Sequence, residues 1–226
     1  KDLQKAYALK DEDVASIEQK IMAEKEAKIR PETQKEDKYE IDDLSSEMGI
    51  DYSQLRDLLK VGKWKEADEE TITLMLKASG REEKGYLTPE SIKSFSCIDL
   101  RTIDTLWVKY SKGHFGFSVQ KHLWESLGGQ TGSYDEEIYD KFSATLGWKK
   151  LKNQNLVLVK GLKWLQWYEL TFDLNAPQGH LPACPGKRGD RLYGDSTDMC
   201  VHARYKVVHL TLKLEECNIN NWKSFG

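Results

Sequence analysis

Two runs of apolar residues at helical spacing, separated by Gly62, constrain the fold of this chain more strongly than any other feature. Within 51–80 the apolar positions recur every three or four residues, which places each run on one face of a helix. A glycine between two such runs is typical of a tight turn between antiparallel helices. The segment therefore predicts a helical hairpin. Its apolar positions are Leu55, Leu58, Leu59, Trp64, Ala67, Ile72, Met75 and Leu76.

Four further segments predict helices between residues 88 and 148. Thr88, followed by a proline, has the residue type favoured at the N-cap of a short helix. Asp99 is expected to cap a second helix, and Ser118 to cap a third that ends at two glycines. The segment 134–148 carries apolar residues at every fourth position and predicts a fourth helix. We therefore expect a mainly α fold, a compact helical domain.

The chain changes in character after residue 148, and its pattern divides it into four parts. Residues 1–30 predict an N-terminal amphipathic helix, 31–48 a charged flexible linker, and 49–182 the helical domain. Near the end of that domain, 156–172 mixes β-branched and aromatic residues, which predicts a loop or a short hairpin. Residues 183–226 are expected to form an irregular C-terminal extension. Within the extension, 205–214 alternates like a strand.

Composition excludes several classes of function. The 226 residues include 39% apolar residues and seven tryptophans, enough for a core, but no apolar run approaches the ~20 residues that cross a bilayer. Residues from 49 onward hold 25 Lys+Arg against 23 Asp+Glu, which argues against a nucleic-acid partner. The four cysteines show no paired motif, so we expect free thiols in a reducing compartment. Because the first residue is lysine, we expect a mature or trimmed form.

Catalytic motifs are missing from the sequence. There is no glycine-rich phosphate loop, no GxSxG and no HExxH, and carboxylates such as those in KEADEET at 65–71 are expected to face solvent. His180 and Cys184 have a spacing that could hold a metal, but two ligands do not complete a zinc site. We interpret His180 as a hydrogen-bonding strut in a proline-bracketed turn. No catalytic residue or metal ligand is therefore assigned.

The aromatic residues of two loop segments are the stronger functional signal. Phe117 suits a hydrophobic staple at a helix start, a role that leaves Phe115 unexplained. Four aromatics crowd into KWLQWYELTF at 163–172, where they either cover the core or form a binding surface for a flat conjugated ligand. Arg188 and Arg191 follow and could each bind a carboxylate. Together these residues favour an apolar ligand with an acidic rim.

Three segments carry a resemblance to a known family. They are the hairpin sequence at 51–80, FSCIDLRTIDTLWVKYSKGHFGFSVQKHLW at 95–124, and FDLNAPQGHLP at 172–182. In this order and at these separations they are similar to the genomes-uncoupled-four family, the porphyrin-binding accessory proteins of magnesium chelatase in cyanobacteria and chloroplasts. The resemblance runs from Asp51 to Pro182, more than half of the chain.

The resemblance implies a helical domain shaped like a cupped hand that binds protoporphyrin IX or Mg-protoporphyrin IX without being a catalyst. It implies stimulation of magnesium chelatase through the large, porphyrin-binding subunit, and a role in plastid signalling. Matched residue by residue, the family's apolar palm, the inner face of the cupped hand, corresponds to Phe115, Phe117 and the stretch with Leu170 that leads to Phe172. The mobile-loop tryptophan is Trp167 or Trp164, and the basic residues after GHLP are Arg188 and Arg191.

Two departures from the family pattern bear on localisation and on the tail. The family commonly continues from GHLP into an apolar helix, whereas here the strand-like run at 205–214 occurs. The N-terminal part has one predicted helix instead of a helical bundle, which favours a chloroplast protein of the stroma, or one associated with thylakoid or envelope membranes, over the cytoplasm of a cyanobacterium. Two alternatives stay open from the residues alone: a helical protein-interaction adaptor built on 51–80, and a haem enzyme with His180 as axial ligand.

Overall fold

The computed structural model describes residues 42–151, 162–184 and 197–222, and it describes the backbone alone at 150–151, 162–163 and 197–206. The predicted N-terminal helix and the linker up to residue 41 lie outside these ranges. The described residues from Asp43 onward form one compact unit, which begins six residues earlier than the predicted start of the domain. No helix in the described ranges is long and apolar enough to span a membrane.

The prediction of a mainly α fold is confirmed, since helices make up most of the described unit. Helices α1 and α2 form the predicted hairpin and pack on each other, and α1 also packs on α4. The helices are α1 Ser53–Lys60, α2 Trp64–Ala78, α3 Pro89–Lys93, α4 Cys97–Tyr110, α5 Phe117–Ser126, α6 Glu136–Thr145 and α7 Thr197–Glu216.

Local capping explains where several helices begin. Thr88 forms a capping box with Ser91 at the start of α3, as its residue type predicts. The side chain of Asp135 accepts a hydrogen bond from the amide of Ile138 and caps α6. The prediction that Asp99 caps α4 is wrong, because Ser96 takes that position. Asp99 is instead buried in the first turn of the helix and accepts hydrogen bonds from the segment that precedes α1.

Asp104 on α4 positions the start of α5. Its carboxylate accepts a hydrogen bond from the amide of Ser118 at 2.8 Å and another from the side-chain amide of Asn221 at 2.9 Å. Gly116, with φ 137°, precedes α5, and a Cβ there would lie 2.6 Å from Val108 Cγ2, so only glycine fits. Burial raises the pKa of Asp104 to about 6, although the hydrogen bonds it accepts oppose that shift. The α4–α5 corner is thus built around a buried carboxyl.

A short β-hairpin follows α6, one of the two possibilities, loop or hairpin, that the sequence predicted for this region. Strands β1 Lys149–Leu151 and β2 Leu162–Trp164 pair antiparallel, with Lys149 opposite Trp164. The amide of Leu165 donates to the carbonyl of Trp148 at 2.9 Å and extends the pairing by one bond. The hairpin therefore holds the start of the next loop against the end of α6.

The prediction of a strand at 205–214 is wrong, because the segment lies inside α7. The alternating set contained only residues 208, 210, 212 and 214, whereas the buried apolar residues also include Val207 and repeat with a helical period. Helix α7 packs on α3, α5 and α4, and the described part of the C-terminal extension therefore joins the core. The buried apolar residues from 207 onward are Val207, Val208, Leu210, Leu214, Cys217 and Ile219.

The prediction of free thiols is wrong for two of the four cysteines. Cys97 at the start of α4 and Cys217 just after α7 form a disulfide that spans 120 residues of sequence. Next to it, Arg101 donates to the carbonyl of Cys217 at 2.6 Å. The end of α7 is therefore fixed to α4 by both a covalent bond and a hydrogen bond.

Candidate functional site

The last residue of β2 and the loop that follows it place several large apolar side chains at the surface, and we call residues 164–175 the aromatic loop. A 3-10 turn at Trp167–Glu169 shapes its centre, with the Glu169 carboxylate accepting from the amide of Gln166 at 2.7 Å. The rings of Trp167 and Phe172 meet edge to face with centroids 5.1 Å apart, and both are partly exposed. Tyr168 and Leu174 beside them are 62% and 50% exposed. A patch of this kind is typical of an interaction site.

Asp68 of α2 fixes the position of Trp167. Its Oδ2 accepts from the indole Nε1 of Trp167 at 2.7 Å. Its Oδ1 accepts from the amides of Ala183 at 2.6 Å and Cys184 at 3.1 Å. Asp68 has no exposed surface, and all three of these partners are N–H donors, the partners from which an ionised carboxylate accepts. As a carboxylate, Asp68 makes charge-assisted hydrogen bonds in a water-poor setting. One carboxylate therefore connects α2, the aromatic loop and the chain that follows Pro182.

A lysine covers the rings of the aromatic loop. Lys65 is exposed on the first turn of α2, and its Nζ lies 5.0 Å from the centroid of the Trp167 ring and 5.9 Å from that of Phe172. Such cation–π contacts contribute roughly 0.5–1 kcal/mol at exposed positions. The surface therefore combines flat apolar faces with a positive charge beside them.

The other candidate tryptophan, Trp164, packs against α6 and a lysine. Its ring lies 5.9 Å from that of Tyr139 on α6, and Lys149 Nζ is 4.3 Å from its centroid. Lys149 also forms an ion pair with Asp140. Trp164 is half-buried in this arrangement. Of the two tryptophans that the resemblance left open, Trp167 is the one that shares a surface with Tyr168.

The GHLP segment supports the aromatic loop from beneath, and His180 acts as the predicted strut. His180 Nδ1 lies 2.5 Å from the carbonyl oxygen of Leu146, and the indole of Trp148 donates to the His180 carbonyl at 2.9 Å. Gly179 has φ 74°, and a Cβ there would lie 2.7 Å from Leu123 Cδ1. No group of three or more residues that could hold a metal occurs in the part of the chain that the structure describes.

The two phenylalanines expected in the palm lie in the core. Phe115 has no exposed surface and packs edge-on against Trp64 and Trp107, at centroid distances of 5.5 and 6.3 Å. Phe117 is 2% exposed and borders a cavity of about 20 Å³ together with Trp148 and Val207. Neither ring presents a face to solvent, because helices that pack on α4 and α5 cover both. In this structure direct ligand contact is therefore not available to either phenylalanine.

The other predicted site residues differ in burial, and two of them lie outside the described residues. Leu170 belongs to the aromatic loop but turns inward and is 7% exposed, whereas Phe172 remains at the surface. Arg188 and Arg191 lie outside the described residues. The structure thus brings together Trp167 and Phe172 from the predicted set, with Trp164 at the edge of the same loop.

Sequence reasoning missed Lys65 and Asp68, both in the KEADEET stretch that was expected to face solvent. For Asp68 this expectation is wrong. A signal for its burial existed, since Trp64, Asp68 and Ile72 follow one another at steps of four and share a helix face. A carboxylate on an apolar face requires partners, and the aromatic loop supplies one.

A second concavity lies away from the aromatic loop. This open pocket of about 280 Å³ lies between the α4–α5 turn and the C-terminal turn, and its lining includes Lys112, His114, His122 and Trp222. The His122 and Trp222 rings stack with centroids 3.7 Å apart. None of the predicted site residues lines it, so the aromatic loop remains the candidate site.

The sequence matches a family model and is similar to several curated proteins. Residues 45–197 match the family model described as GUN4-like. The Ycf53-like protein of Synechocystis sp. is 35% identical over 152 residues, which cover 66% of this chain and 58% of that protein. The chloroplastic tetrapyrrole-binding protein of Arabidopsis thaliana is 30% identical over 131 residues, 57% of this chain and 46% of that one. The chain spans about half the length of these curated relatives.

Two solved structures resemble the fold. The structure of GUN4 from Chlamydomonas reinhardtii has a TM-score of 0.51 and 27% identity, covering 74% of this chain and 92% of that chain. The ligand-free structure of Arabidopsis thaliana GUN4 has a TM-score of 0.50 and 25% identity, covering 73% and 95%. Both comparisons agree with the family match.

Proposed function

The chain belongs to the GUN4-like family, the genomes-uncoupled-four family that its motifs indicated, and we propose that it is a non-catalytic protein that binds tetrapyrroles. The observation that carries this proposal is the exposed aromatic surface of Trp167, Tyr168 and Phe172 beside a lysine. A relative from Arabidopsis thaliana is named a tetrapyrrole-binding protein, which supports the same ligand class.

The chemistry of the surface suits a large flat ligand. Aromatic rings stack on a conjugated macrocycle and lose little conformational entropy, because each ring has only two side-chain torsions. Burying about 300 Å² of apolar surface contributes about 7.5 kcal/mol at about 25 cal/mol/Å². Ordering of the loop and loss of rigid-body freedom subtract from this value. Stacking alone therefore gives weak binding, and charged contacts at the rim of the ligand are needed for micromolar affinity.

The proposed ligands are protoporphyrin IX and Mg-protoporphyrin IX, whose propionates require basic partners. Arg188 and Arg191 keep their proposed role as such partners, since a guanidinium binds a carboxylate with two parallel hydrogen bonds. Trp164 is proposed to border the ligand at the start of the loop. The buried side chains of Phe115, Phe117 and Leu170 are proposed to support the surface from within.

The biological role proposed from family membership is stimulation of magnesium chelatase in chlorophyll biosynthesis. The partner is the large, porphyrin-binding subunit of the chelatase, and a contribution to plastid signalling is included. The proposed location is the chloroplast stroma, with peripheral association with thylakoid or envelope membranes, and the cytoplasm of a cyanobacterium is the alternative. The names of relatives from a chloroplast and from a cyanobacterium support these two locations.

Titration of the full chain with deuteroporphyrin IX, monitored by tryptophan fluorescence, tests ligand binding. We expect quenching that saturates, and we expect Trp167→Ala to weaken binding about tenfold, a typical loss for a stacked aromatic anchor. Trp222→Ala is the matched control, because this partly exposed tryptophan stacks on His122 outside the aromatic loop. Absence of any quenching in the unmodified chain would remove the proposal.

A separate assay tests the role in chelation. The rate of magnesium insertion into deuteroporphyrin is measured with purified chelatase subunits, with and without this chain. We expect the rate to rise in the presence of the chain and to rise less with Trp167→Ala. An unchanged rate, with porphyrin binding intact, rejects stimulation of the chelatase and leaves tetrapyrrole binding in place.

A further inference from the structure

Lys65 lies where a charged group of a stacked ligand would be recognised. It belongs to the first turn of α2, three residues before the Asp68 that holds Trp167. Its side chain is exposed, and its Nζ lies 5.0 Å from the Trp167 ring and 5.9 Å from the Phe172 ring. The charge therefore sits directly over the surface assigned to the tetrapyrrole.

Lys65 is also available for a new partner. Other lysines are already paired: Lys149 with Asp140, Lys121 with Glu125, and Lys141 with Glu137. Within the described part of the chain, Lys65 makes ring contacts and no ion pair. Asp68 is the nearest buried carboxylate on its helix, and it is engaged by Trp167 and two backbone amides. A carboxylate brought by a ligand would thus meet an unpaired ammonium group.

The ring contact of Lys65 is easily exchanged for such a carboxylate. A cation–π contact at an exposed site contributes only about 0.5–1 kcal/mol, and the four-carbon stem of lysine moves freely. A macrocycle that stacks on Trp167 displaces the Nζ from the ring face toward the rim of the ligand. The propionates of a porphyrin are located at that rim. An ion pair next to a buried apolar face is screened less than one in open solvent.

We propose that Lys65 binds a propionate carboxylate of the tetrapyrrole and so makes the site select free acids over their neutral esters. This inference rests on the proposed function and adds a specificity residue to it. The lysine acts on the charge at the rim, whereas the aromatic loop acts on the ring system. The two contributions are therefore separable by changing the ligand.

The test compares deuteroporphyrin IX with its dimethyl ester, using fluorescence titration of the full chain. We expect Lys65→Gln to weaken binding of the acid about three- to fivefold, the upper part of the range of an exposed ion pair, and to leave ester binding unchanged. Lys65→Arg restores the preference for the acid, and added salt reduces it. Lys63→Gln is the matched control. Lys63 is exposed two positions earlier and contacts no ring in the described part of the chain, and we expect its loss to change neither affinity.

Three outcomes would overturn the inference. If Lys65→Gln weakens the acid and the ester equally, the lysine acts through its packing on the rings and not through charge. If Lys63→Gln reduces acid binding as much as Lys65→Gln does, the effect comes from the overall positive charge of this surface and not from a contact made by Lys65. If Lys65→Gln binds both porphyrins as the unmodified chain does, Lys65 has no role while the proposed function stands. Failure of the unmodified chain to bind either porphyrin rejects the proposed function itself.

Discussion

Replacing Asp68 by asparagine isolates the bond that holds the aromatic loop. Oδ1 of Asp68 accepts from the amides of Ala183 and Cys184, and Oδ2 accepts from the indole of Trp167. An asparagine oriented to keep both amides bonded must place its NH₂ where Oδ2 was. Two donors, the NH₂ and the indole N–H, then face each other at a site with an oxygen-to-nitrogen distance of 2.7 Å. The change therefore removes one bond and weakens two.

The magnitude follows from the difference between charged and neutral hydrogen bonds. A hydrogen bond to a charged group contributes about 1.5–3 kcal/mol net, against about 1 kcal/mol for a neutral one. Loss of the indole bond and conversion of the two amide bonds give a gross cost of about 3–6 kcal/mol. Relief from burying a charge offsets part of this cost. We expect Asp68→Asn to lower the free energy of unfolding by about 2–4 kcal/mol.

Urea unfolding of the full chain, followed by far-UV circular dichroism at neutral pH, measures this change. Trp167→Phe completes a double-mutant cycle, because phenylalanine keeps a ring but removes the N–H donor. We expect Asp68→Asn to cost at least 1 kcal/mol less in the Trp167→Phe background, since the opposed donor is gone. The reasoning is refuted if Asp68→Asn costs under about 1 kcal/mol, or if its cost is the same in both backgrounds.

Two further predictions concern the core. The pKa of Asp104 is raised to about 6 from an unfolded value near 4, so the folded state binds more protons than the unfolded state in this window, and the free energy of unfolding falls by about 2 kcal/mol as pH rises from 4 to 7. We expect the decrease in unfolding free energy over this pH range to be smaller in Asp104→Asn by about that amount, and an unchanged pH profile contradicts the assignment. Reduction of the Cys97–Cys217 disulfide, which spans 120 residues, is expected to cost about 2–5 kcal/mol, measured by urea unfolding with and without a phosphine reductant. The double variant Cys97→Ser/Cys217→Ser should show no change in stability with the reductant. A change in this variant would mean that the reductant acts on a group other than the Cys97–Cys217 disulfide.

Helices that carry their signals locally could be predicted from the sequence. The hairpin at 51–80 depends on apolar spacing around Gly62, and the starts of α3 and α6 depend on caps three residues from their targets. The choice between strand and helix for residues 205–214 could not be made in this way, because the apolar residues there fit both an alternating and a helical period. Packing against α3 and α5 selects the helix. The cysteine pairing likewise depends on how α4 and α7 meet, which spacing does not reveal.

Phe115 and Trp167 show why the candidate site was only partly predictable. Both are aromatic residues outside regular helices, and both were expected at the ligand. Phe115 has no polar atom on its ring, so nothing prevents its complete enclosure between Trp64 and Trp107.

Trp167 carries an indole N–H that needs a hydrogen-bond acceptor when it is removed from water. The acceptor is Oδ2 of Asp68 on α2, and Oδ1 of the same carboxylate accepts from the backbone after Pro182. That bond fixes one edge of the indole at the boundary of the core and leaves its ring in contact with Lys65 at the surface. The position of the aromatic surface is therefore set by Asp68, at a helical step of four from Trp64. A buried acid on an apolar helix face predicts that a hydrogen-bond donor from elsewhere in the chain will pack against it. A loop tryptophan can supply that donor through its indole N–H and still leave a ring face exposed to a ligand.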